Sequence, residues 1–245
     1  MNGFVIRCVA AGMLVFGAGV GVATAQSSDH THIGIGVKAS TLGIGVDVAA
    51  KVAKKANVRV GFNTFSLNHD FDNDGMTIAG QLKLQSVDAH LDWFPFGGGF
   101  HISPGATLYN GNEVTATTSV PQGKKFSLGD QSNLTSDPLH PVIGTASVSF
   151  AKFAPSLLIG WGNLIPRGDR RWSIELEMGV IYSQAPTFAL GLTGNACDQN
   201  GANCKSIASD PQLQTDLQKE QSNVNSDISV LKAYPVISLG FGFKF

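Results

Sequence analysis

Residues 234–245 read YPVISLGFGFKF, and this stretch decides the fold. Large apolar side chains recur at every second position, at Ile237, Leu239, Phe241, Phe243 and Phe245. The positions between them are smaller or polar, namely Val236, Ser238, Gly240, Gly242 and Lys244. Successive side chains of a strand point to opposite faces of a sheet. The stretch therefore predicts a strand with one bulky apolar face and one face of small volume.

The end of this strand also carries a pattern of residue types. Ser238, Gly240, Phe243 and Phe245 fit the order polar, any, glycine, any, any, aromatic, any, aromatic, with no polar tail after the last aromatic residue. This ending resembles the closing strand of bacterial outer-membrane β-barrels. The resemblance implies that the barrel-assembly machinery reads these four residues. It also implies an outer-membrane location after export through the periplasm, in contact with outer-membrane lipids and lipopolysaccharide.

The beginning of the chain predicts export. Arg7 is the only charged residue among the first 25, and an apolar run over residues 8–22 follows it. Ala23, Thr24 and Ala25 then match an A-x-A cleavage site. We predict a cleaved signal peptide over residues 1–25 and one barrel domain over residues 26–245. A retained membrane anchor is the alternative, but the apolar run is short and rich in glycine for a spanning helix.

Composition narrows the class of protein. Removal of residues 1–25 takes one of the 17 basic residues and none of the 18 acidic ones, so the mature chain is slightly acidic. This balance argues against nucleic acid as a partner. After residue 25 no apolar stretch reaches the roughly 18 to 20 residues of a membrane helix. A membrane protein without such helices has to close its backbone hydrogen bonds as a barrel.

The two-residue alternation recurs along the chain and predicts an all-β fold. We expect a closed antiparallel transmembrane β-barrel of eight strands, near residues 33–39, 42–51, 58–63, 82–93, 100–109, 153–162, 172–182 and 234–245. Between the first two, the apolar set changes from odd to even numbers across Ser40 and Thr41, which predicts a tight turn or, alternatively, one bulged strand. Leu82 and Leu84 are out of phase with the rest of the fourth strand, which indicates a bulge.

The connections between these strands alternate in length, except for the first one, at Ser40. Those at 53–56, 95–99 and 163–171 are short, and those near 69–77, 112–145 and 194–230 are longer. Outer-membrane barrels have short periplasmic turns and long outer loops, and the alternation fits this topology. An interfacial aromatic girdle is expected at the periplasmic rim, formed by Trp93, Phe94, Phe96, Trp161, Trp172 and Phe245.

The inward positions of the predicted strands carry charges of both signs. The acids are Asp47, Asp88, Asp92, Glu175 and Glu177, and the bases are Lys38, Lys51, Arg59 and Lys244, with His90 between two of the acids. Eight strands enclose room only for side chains or one small ligand, and unpaired desolvated charges cost several kcal/mol. We therefore predict a closed ion-pair network in the lumen. Arg59 is its expected hub, because a guanidinium can bind two carboxylates.

Two chemical alternatives exist within the lumen. His101 and Ser103 share a face with Glu175 or Glu177 nearby, and the set resembles the catalytic residues of outer-membrane lipid A deacylases. The surrounding asparagine and glycine pattern of that family is absent, so we interpret the set as lumen packing and expect no catalytic site. Asp88, His90 and Asp92 could ligate a metal, but a spacing of two arises in any polar strand face, and we expect neither a metal nor another cofactor.

The predicted loops carry three further features. Asp70, Asp72 and Asp74 match the opening of an EF-hand calcium loop, but Gln81 stands where its last ligand should be, so a polar turn is the plainer interpretation. Cys197 and Cys204 predict a disulfide in an exported protein, with free thiols or metal binding as the alternatives. In the same long loop, Asp210 and Pro211 predict the start of a short helix that rests on the barrel mouth, with a lid or a docking site for a partner as the alternative.

A barrel fold does not by itself fix a function. The filled lumen favours a non-enzymatic integral protein that stabilises the envelope or displays its loops to the outside. The alternative is a narrow, gated, porin-like channel for small hydrophilic solutes, whose ion pairs swing apart on opening. A lipid-modifying enzyme is a third class.

Overall fold

A computed structural model of the chain describes residues 32–73 and 76–245, so the predicted signal peptide lies outside the described residues. Across these residues, no helix has the length and apolar character needed to cross a membrane. Their secondary structure is mainly β, with one helix, α1 (Pro211–Ile228). The strands are β1 (Ile33–Ser40), β2 (Gly43–Ala53), β3 (Ala56–Asn73), β4 (Met76–Trp93), β5 (Phe100–Asn110), β6 (Glu113–Ser119), β7 (Lys125–Leu128), β8 (Gln131–Ser136), β9 (Ile143–Ser149), β10 (Ala154–Trp161), β11 (Trp172–Tyr182), β12 (Thr187–Thr193), β13 (Asn195–Cys197), β14 (Lys205–Ser206) and β15 (Ala233–Lys244).

Eight of these strands close into an antiparallel barrel. Their order around the ring is β4, β3, β2, β1, β15, β11, β10 and β5, and the pairing of β5 with β4 completes the circle. All eight are strands predicted from the alternation, so the predicted fold class is confirmed. Closure gives every barrel strand two neighbours and removes free edges from the barrel.

The two faces of the barrel wall differ sharply. On β11, for example, Ile174 is 68% exposed whereas its neighbour Glu175 is 5% exposed. The same alternation of exposed apolar and buried polar residues runs through the other barrel strands. The exposed apolar side chains form a continuous surface, which we call the apolar belt, and the charged residues point into the lumen. Such a surface is the one that a membrane barrel turns toward lipid.

The connection between β1 and β2 is the tight turn, which was one of the two alternatives left open by the sequence. Ser40 pairs with Gly43, and the two residues between them form the turn. Gly43 has a φ of +106°, and a Cβ atom there would lie 2.7 Å from the carbonyl oxygen of Thr64. Glycine is therefore required by both the backbone conformation and the close approach of β3.

The barrel has two unlike ends. At one end, the short-turn rim, lie the turns at 54–55, 94–99 and 162–171, beside the start of β1 and the end of β15. At the other end, the long-loop rim, the β3–β4 hairpin and two insertions at 111–153 and 183–232 leave the barrel. We call these insertions and the part of the hairpin beyond the barrel the head.

The third and fourth strands are longer than predicted. The prediction of a loop over 69–77 is wrong for most of these residues, because β3 and β4 pair without interruption out to Asn73 and Met76. The expected bulge in β4 is wrong as well: the register shift lies in its partner β5, where Leu108 is the extra residue. As a result, Tyr109, predicted to point inward, is 46% exposed. Leu82 and Leu84 continue the inward face of β4 into the head, beyond the apolar belt.

The predicted long loops are folded. β6, β9 and β12 extend the β3–β4 hairpin into an open sheet, and β7, β8, β13 and β14 form a second sheet. A separate hydrophobic core holds the two insertions together, made of Val120, Leu128, Leu134, Val142, Ala196, Ile207, Leu213 and Leu217. The predicted loops at 112–145 and 194–230 are therefore a compact structure.

Helix α1 begins at Pro211 after the N-cap Asp210, as the sequence predicts. The expectation that it rests on the barrel mouth is wrong, because it packs against β12 and the head core. Asn225 accepts a hydrogen bond from the N–H of Phe188 at 2.8 Å and donates one to its carbonyl at 2.9 Å. Gln221 accepts from the N–H of Leu190 at 3.2 Å. Side-chain amides of the helix thus form hydrogen bonds with backbone groups on the free edge of β12.

Candidate functional site: the barrel lumen

Arg59 lies at the centre of the lumen and is 1% exposed. Its Nε and Nη2 donate to the two carboxylate oxygens of Asp92 at 3.1 and 3.0 Å. Its Nη1 donates to Glu177 at 2.9 Å and also lies 3.6 Å from Asp47. Charge-assisted and bidentate pairs of this kind are the strong ones, so Arg59 has the geometry of the hub inferred from the sequence.

A second cluster lies beside it toward the long-loop rim. The Nζ of Lys38 is 2.8 Å from Asp47 and 3.7 Å from Asp88. Asn63 donates to Asp88 at 2.6 Å, and the His90 Nδ1 lies 3.3 Å from the other oxygen of Asp88. Asp47 contacts both Lys38 and Arg59, so it links the two clusters into one network.

The remaining residues assigned to this network have other surroundings. Lys244 lies at the short-turn rim, where its Nζ donates to the carbonyls of Pro166 and Gly168 at 2.9 and 2.6 Å. Lys51 lines the mouth of the same rim. Glu175 is buried two residues before Glu177, and its Oε1 accepts no hydrogen bond from any residue that the structure describes.

His101 and Ser103 are both fully buried and have separate partners. The two ring nitrogens of His101 lie 3.1 Å from Glu177 and from the Gly99 carbonyl, both of which are acceptors. An imidazolium that donates from both nitrogens fits this arrangement. The Ser103 hydroxyl donates to Asp92 at 2.7 Å. The pair therefore extends the ion-pair network rather than forming a nucleophile and its base, which would need a hydrogen bond between them.

The lumen is plugged at the short-turn rim by the turn between β10 and β11. Leu164 and Ile165 fold inside the barrel and pack with Ala49. A Cβ atom on Gly36 would lie 2.5 Å from the Leu164 side chain, and Gly34 and Gly242 are equally close to this turn. Asn163 accepts hydrogen bonds from Asn57 and from the Ile165 N–H, each at 2.9 Å. Residues 163–166 are called the plug below.

The opposite end of the lumen is filled by an apolar cluster of Leu42, Ala154, Leu158, Ile181 and Val236. Between this cluster and the ion pairs lies a cavity of about 20 Å³, lined in part by His90 and Ser156. A volume of this size holds roughly one water molecule. Plug, ion pairs and apolar cluster therefore close the described lumen at three successive levels.

The residues of the terminal pattern lie on both faces of the barrel wall. Ser238 faces the lumen and donates to Glu177 at 3.3 Å, and Gly240 lies against Glu175, with 3.6 Å between its Cβ position and the Glu175 Cβ. Phe243 lies between Trp172 and Phe245 in a tilted and an edge-on ring contact, with ring centres 4.6 and 5.1 Å away. The small residues of this pattern therefore make room for the ion pairs.

The aromatic residues expected in the girdle lie on the strands and turns of the short-turn rim. Trp93, Phe96, Trp161 and Trp172 are largely exposed, and Phe245 is too. Phe100 joins Phe96 to Trp161 through ring contacts of 5.8 and 5.3 Å. Phe94 departs from the prediction, because it is fully buried beside His101.

The metal candidates of the hairpin are only partly described. Asp70 and Asp72 are exposed, and Asp72 accepts a hydrogen bond from Thr77 at 2.8 Å. Asp74 lies outside the described residues, so the three carboxylates are not seen together. Asp88 and Asp92, the other metal candidates, are engaged by Lys38 and Arg59.

In the head, the structure joins Cys197 and Cys204 in a disulfide. Asp198 organises the loop that this disulfide closes, because its carboxylate accepts from the N–H groups of Asn200 and Ala202 and from the Asn203 amide. These bonds, that of Ala202 foremost, lower the pKa of the Asp198 carboxyl.

Comparison with known proteins finds no matching family model and no matching curated protein. Among solved structures, the crystal structure of Acinetobacter baumannii CarO is 20% identical, covers 86% of this chain and 97% of its own, and has a TM-score of 0.53. That of Acinetobacter baumannii CarO2 is 16% identical, covers 89% and 100%, and has a TM-score of 0.54. At these identities the likeness shows the fold, a closed barrel of the outer-membrane type.

Proposed function

We propose that the protein is a non-enzymatic integral protein of the outer membrane, in which a closed barrel anchors the folded head at the cell surface. The observation that carries this proposal is the ion bridge from Arg59 to Glu177 across the centre of the lumen. It lies between the plug on one side and the apolar cluster on the other. A wall of eight strands leaves too little room beside these side chains for a solute path.

The orientation follows from the unequal ends. Short turns face the periplasm and long connections face the outside in barrels of this kind. The short-turn rim is accordingly periplasmic, and the head is external. The head has its own hydrophobic core, an edge strand covered by α1 and a disulfide, so its exposed surface is presented on a rigid support. This construction suits contact with a partner outside the cell.

Partners during assembly and in the membrane are part of the same proposal. The apolar belt would contact outer-membrane lipids and lipopolysaccharide, and Phe243 and Phe245 would be read by the assembly machinery. Phe245 is exposed, and Phe243 lies against Trp172 and Phe245 at the rim. These aromatic residues are thus placed where another protein can reach them.

Electrical recording in planar lipid bilayers tests the closed lumen. The purified mature protein should give no stepwise conductance. Steps in the wild-type protein that grow in an Arg59→Ala variant would show that the ion pairs gate a path, and the narrow channel would then replace this proposal. Mobility in gel electrophoresis before and after boiling provides the fold control, because a barrel resists detergent until it is heated.

An activity assay tests the alternative of a lipid-modifying enzyme. Purified protein incubated with lipid A and with phospholipids should release no product, because His101 and Ser103 are sealed inside the lumen. Product that disappears in a His101→Ala variant would overturn the non-enzymatic role.

A further inference from the structure

The barrel wall has an opening at the short-turn rim, on its lateral surface. β10 pairs with β11 only up to Trp161 opposite Leu176, although β11 begins four residues earlier at Trp172. The chain leaves the wall at Gly162, with a φ of +120°, and turns inward to form the plug. The beginning of β11 therefore lacks a neighbour on that side. The opening, which we call the notch, has a volume of about 560 Å³ and is lined by residues 97–99, 162–163, 166–167, Arg170, 172–174 and Phe241.

Two cations lie at the notch. The guanidinium of Arg167 is held in place, because it donates to the Gly97 carbonyl at 2.5 Å and lies 5.4 Å from the ring centre of Phe94. Arg170 is exposed and forms no ion pair with any residue that the structure describes. Asp169, the acid of this turn, lines the mouth of the barrel, which Arg167 lines as well. The charge of Arg170 at the notch is therefore not paired with an acid that the structure describes.

The wall of the notch also offers a backbone donor. The carbonyl of Ile174 faces the notch, as shown by its distance of 2.3 Å from the Cβ position of Gly162. A strand residue presents its N–H and its C=O to the same edge in an antiparallel sheet, so the Ile174 N–H points the same way. This N–H can donate a hydrogen bond to an oxyanion.

The outer part of the notch is apolar and continuous with the apolar belt. Trp172, Ile174 and Phe241 line it and expose most or about half of their side-chain surface. A ligand for this site needs a negative head beside the two arginines and a hydrocarbon chain over the three apolar residues. A free inorganic anion would leave the apolar surface uncovered.

We infer that the notch binds one acidic glycerophospholipid of the periplasmic leaflet, with its phosphate between Arg167 and Arg170 and one acyl chain along Ile174 and Phe241. This inference rests on the proposed membrane setting. Guanidinium groups bind phosphate through paired hydrogen bonds, and this pairing favours an acidic lipid over one whose headgroup carries its own cation.

Native mass spectrometry of the full mature protein in detergent tests the site. The probes are phosphatidylglycerol, phosphatidylcholine with the same acyl chains, and soluble glycerol 3-phosphate. One phosphatidylglycerol should bind at least tenfold more tightly than phosphatidylcholine, and glycerol 3-phosphate should bind at least tenfold more weakly than the lipid.

The variants distinguish a specific lipid-binding site from non-specific electrostatic attraction to the rim. Arg170→Gln should weaken phosphatidylglycerol binding about tenfold, and Arg167→Gln with Arg170→Gln should abolish the preference over phosphatidylcholine. Arg171→Gln is the matched control, because it removes the same charge from the same turn but from a residue that lines the mouth. Its affinity should stay within twofold of wild type.

Three outcomes would overturn the inference. Equal losses in the Arg170 and Arg171 variants would indicate a diffuse positive rim, equal binding of phosphatidylcholine would remove the role of the acidic head, and tight binding of glycerol 3-phosphate would make the ligand soluble. Each variant is first shown to keep the mobility shift on boiling. Failure of that shift in the wild-type protein would instead contradict the proposed membrane barrel.

Discussion

Arg59 and Glu177 join opposite walls of the barrel. Arg59 lies on β3 and Glu177 on β11, four positions away in a ring of eight strands, and the Arg59 Nη1 donates to the Glu177 carboxylate at 2.9 Å. The same guanidinium binds Asp92 on the adjacent strand β4. One side chain thereby connects both halves of the wall.

Removal of this cation should strongly destabilise the barrel. In an Arg59→Met variant the carboxylates of Asp92 and Glu177 stay buried without their partner, a situation that costs about 3–5 kcal/mol. Urea unfolding in detergent micelles, followed by tryptophan fluorescence, measures the change in the free energy of unfolding.

Neutralisation of Glu177 tests whether the unpaired carboxylates cause this loss of stability. Adding Glu177→Gln to Arg59→Met should restore part of the lost free energy of unfolding, because one uncompensated charge is gone. Arg171→Met is the surface control and should change little. Equal stability of Arg59→Met and the wild-type protein would contradict the bridge.

The plug makes a prediction about a pair of residues. Gly36→Ala should destabilise the protein by about 1–3 kcal/mol, because the new methyl group meets the Leu164 side chain at 2.5 Å. Leu164→Ala alone should cost about 2–5 kcal/mol through the space that it leaves. The double variant should lose less than the sum of the two, measured by the same urea unfolding. Additive losses would mean that Leu164 does not fill the hollow beside Gly36.

The barrel was predictable from sequence because its wall separates two unlike environments. On β11, an apolar surface outside and an ion network inside force a strict two-residue period from Trp172 to Tyr182. The set of inward-facing charged residues could be predicted from that period. The partner of each charge could not be predicted, because whether Arg59 reaches Glu177 or Glu175 depends on the stagger between strands that are distant in sequence.

The plug and the head were missed for different reasons. Leu164 and Ile165 lie in a segment whose length matched a surface turn, and the available signal was the hollow left by glycines on neighbouring strands, such as Gly36 opposite Gly242. In the head, β6 consists mainly of small and polar residues and shows no strong alternation. The hydrophobic core of the head joins Val142 to Leu213, so this core forms only when two separate insertions meet.

Acid should weaken the start of α1. The N–H of Leu213 and, after it, the ammonium of Lys205 hold the pKa of the Asp210 carboxyl below its ordinary value. A group whose pKa is lowered in the folded state stabilises it above the unfolded pKa of about 3.9 and loses that effect as pH falls through the folded value. Hydrogen exchange of residues 212–217 should therefore speed up on acidification below about pH 4 relative to the rest of α1, after correction for the intrinsic rate. Asp210→Asn should remove this pH dependence, and an unchanged profile in that variant would contradict the assignment.

Asn225 should protect the edge of β12 from pairing with other chains. Its amide exchanges two hydrogen bonds with Phe188 in the way a neighbouring strand would, and each such bond contributes about 1 kcal/mol. Asn225→Leu should speed hydrogen exchange at the Phe188 amide roughly fivefold or more and increase association of the head, read by light scattering of the protein in detergent. Asn223→Leu places the same change on an exposed position of the same helix and should leave exchange at Phe188 unaltered. Association in both variants would point to added hydrophobic surface, whereas association in the Asn225 variant alone would locate the cause at the uncovered strand edge.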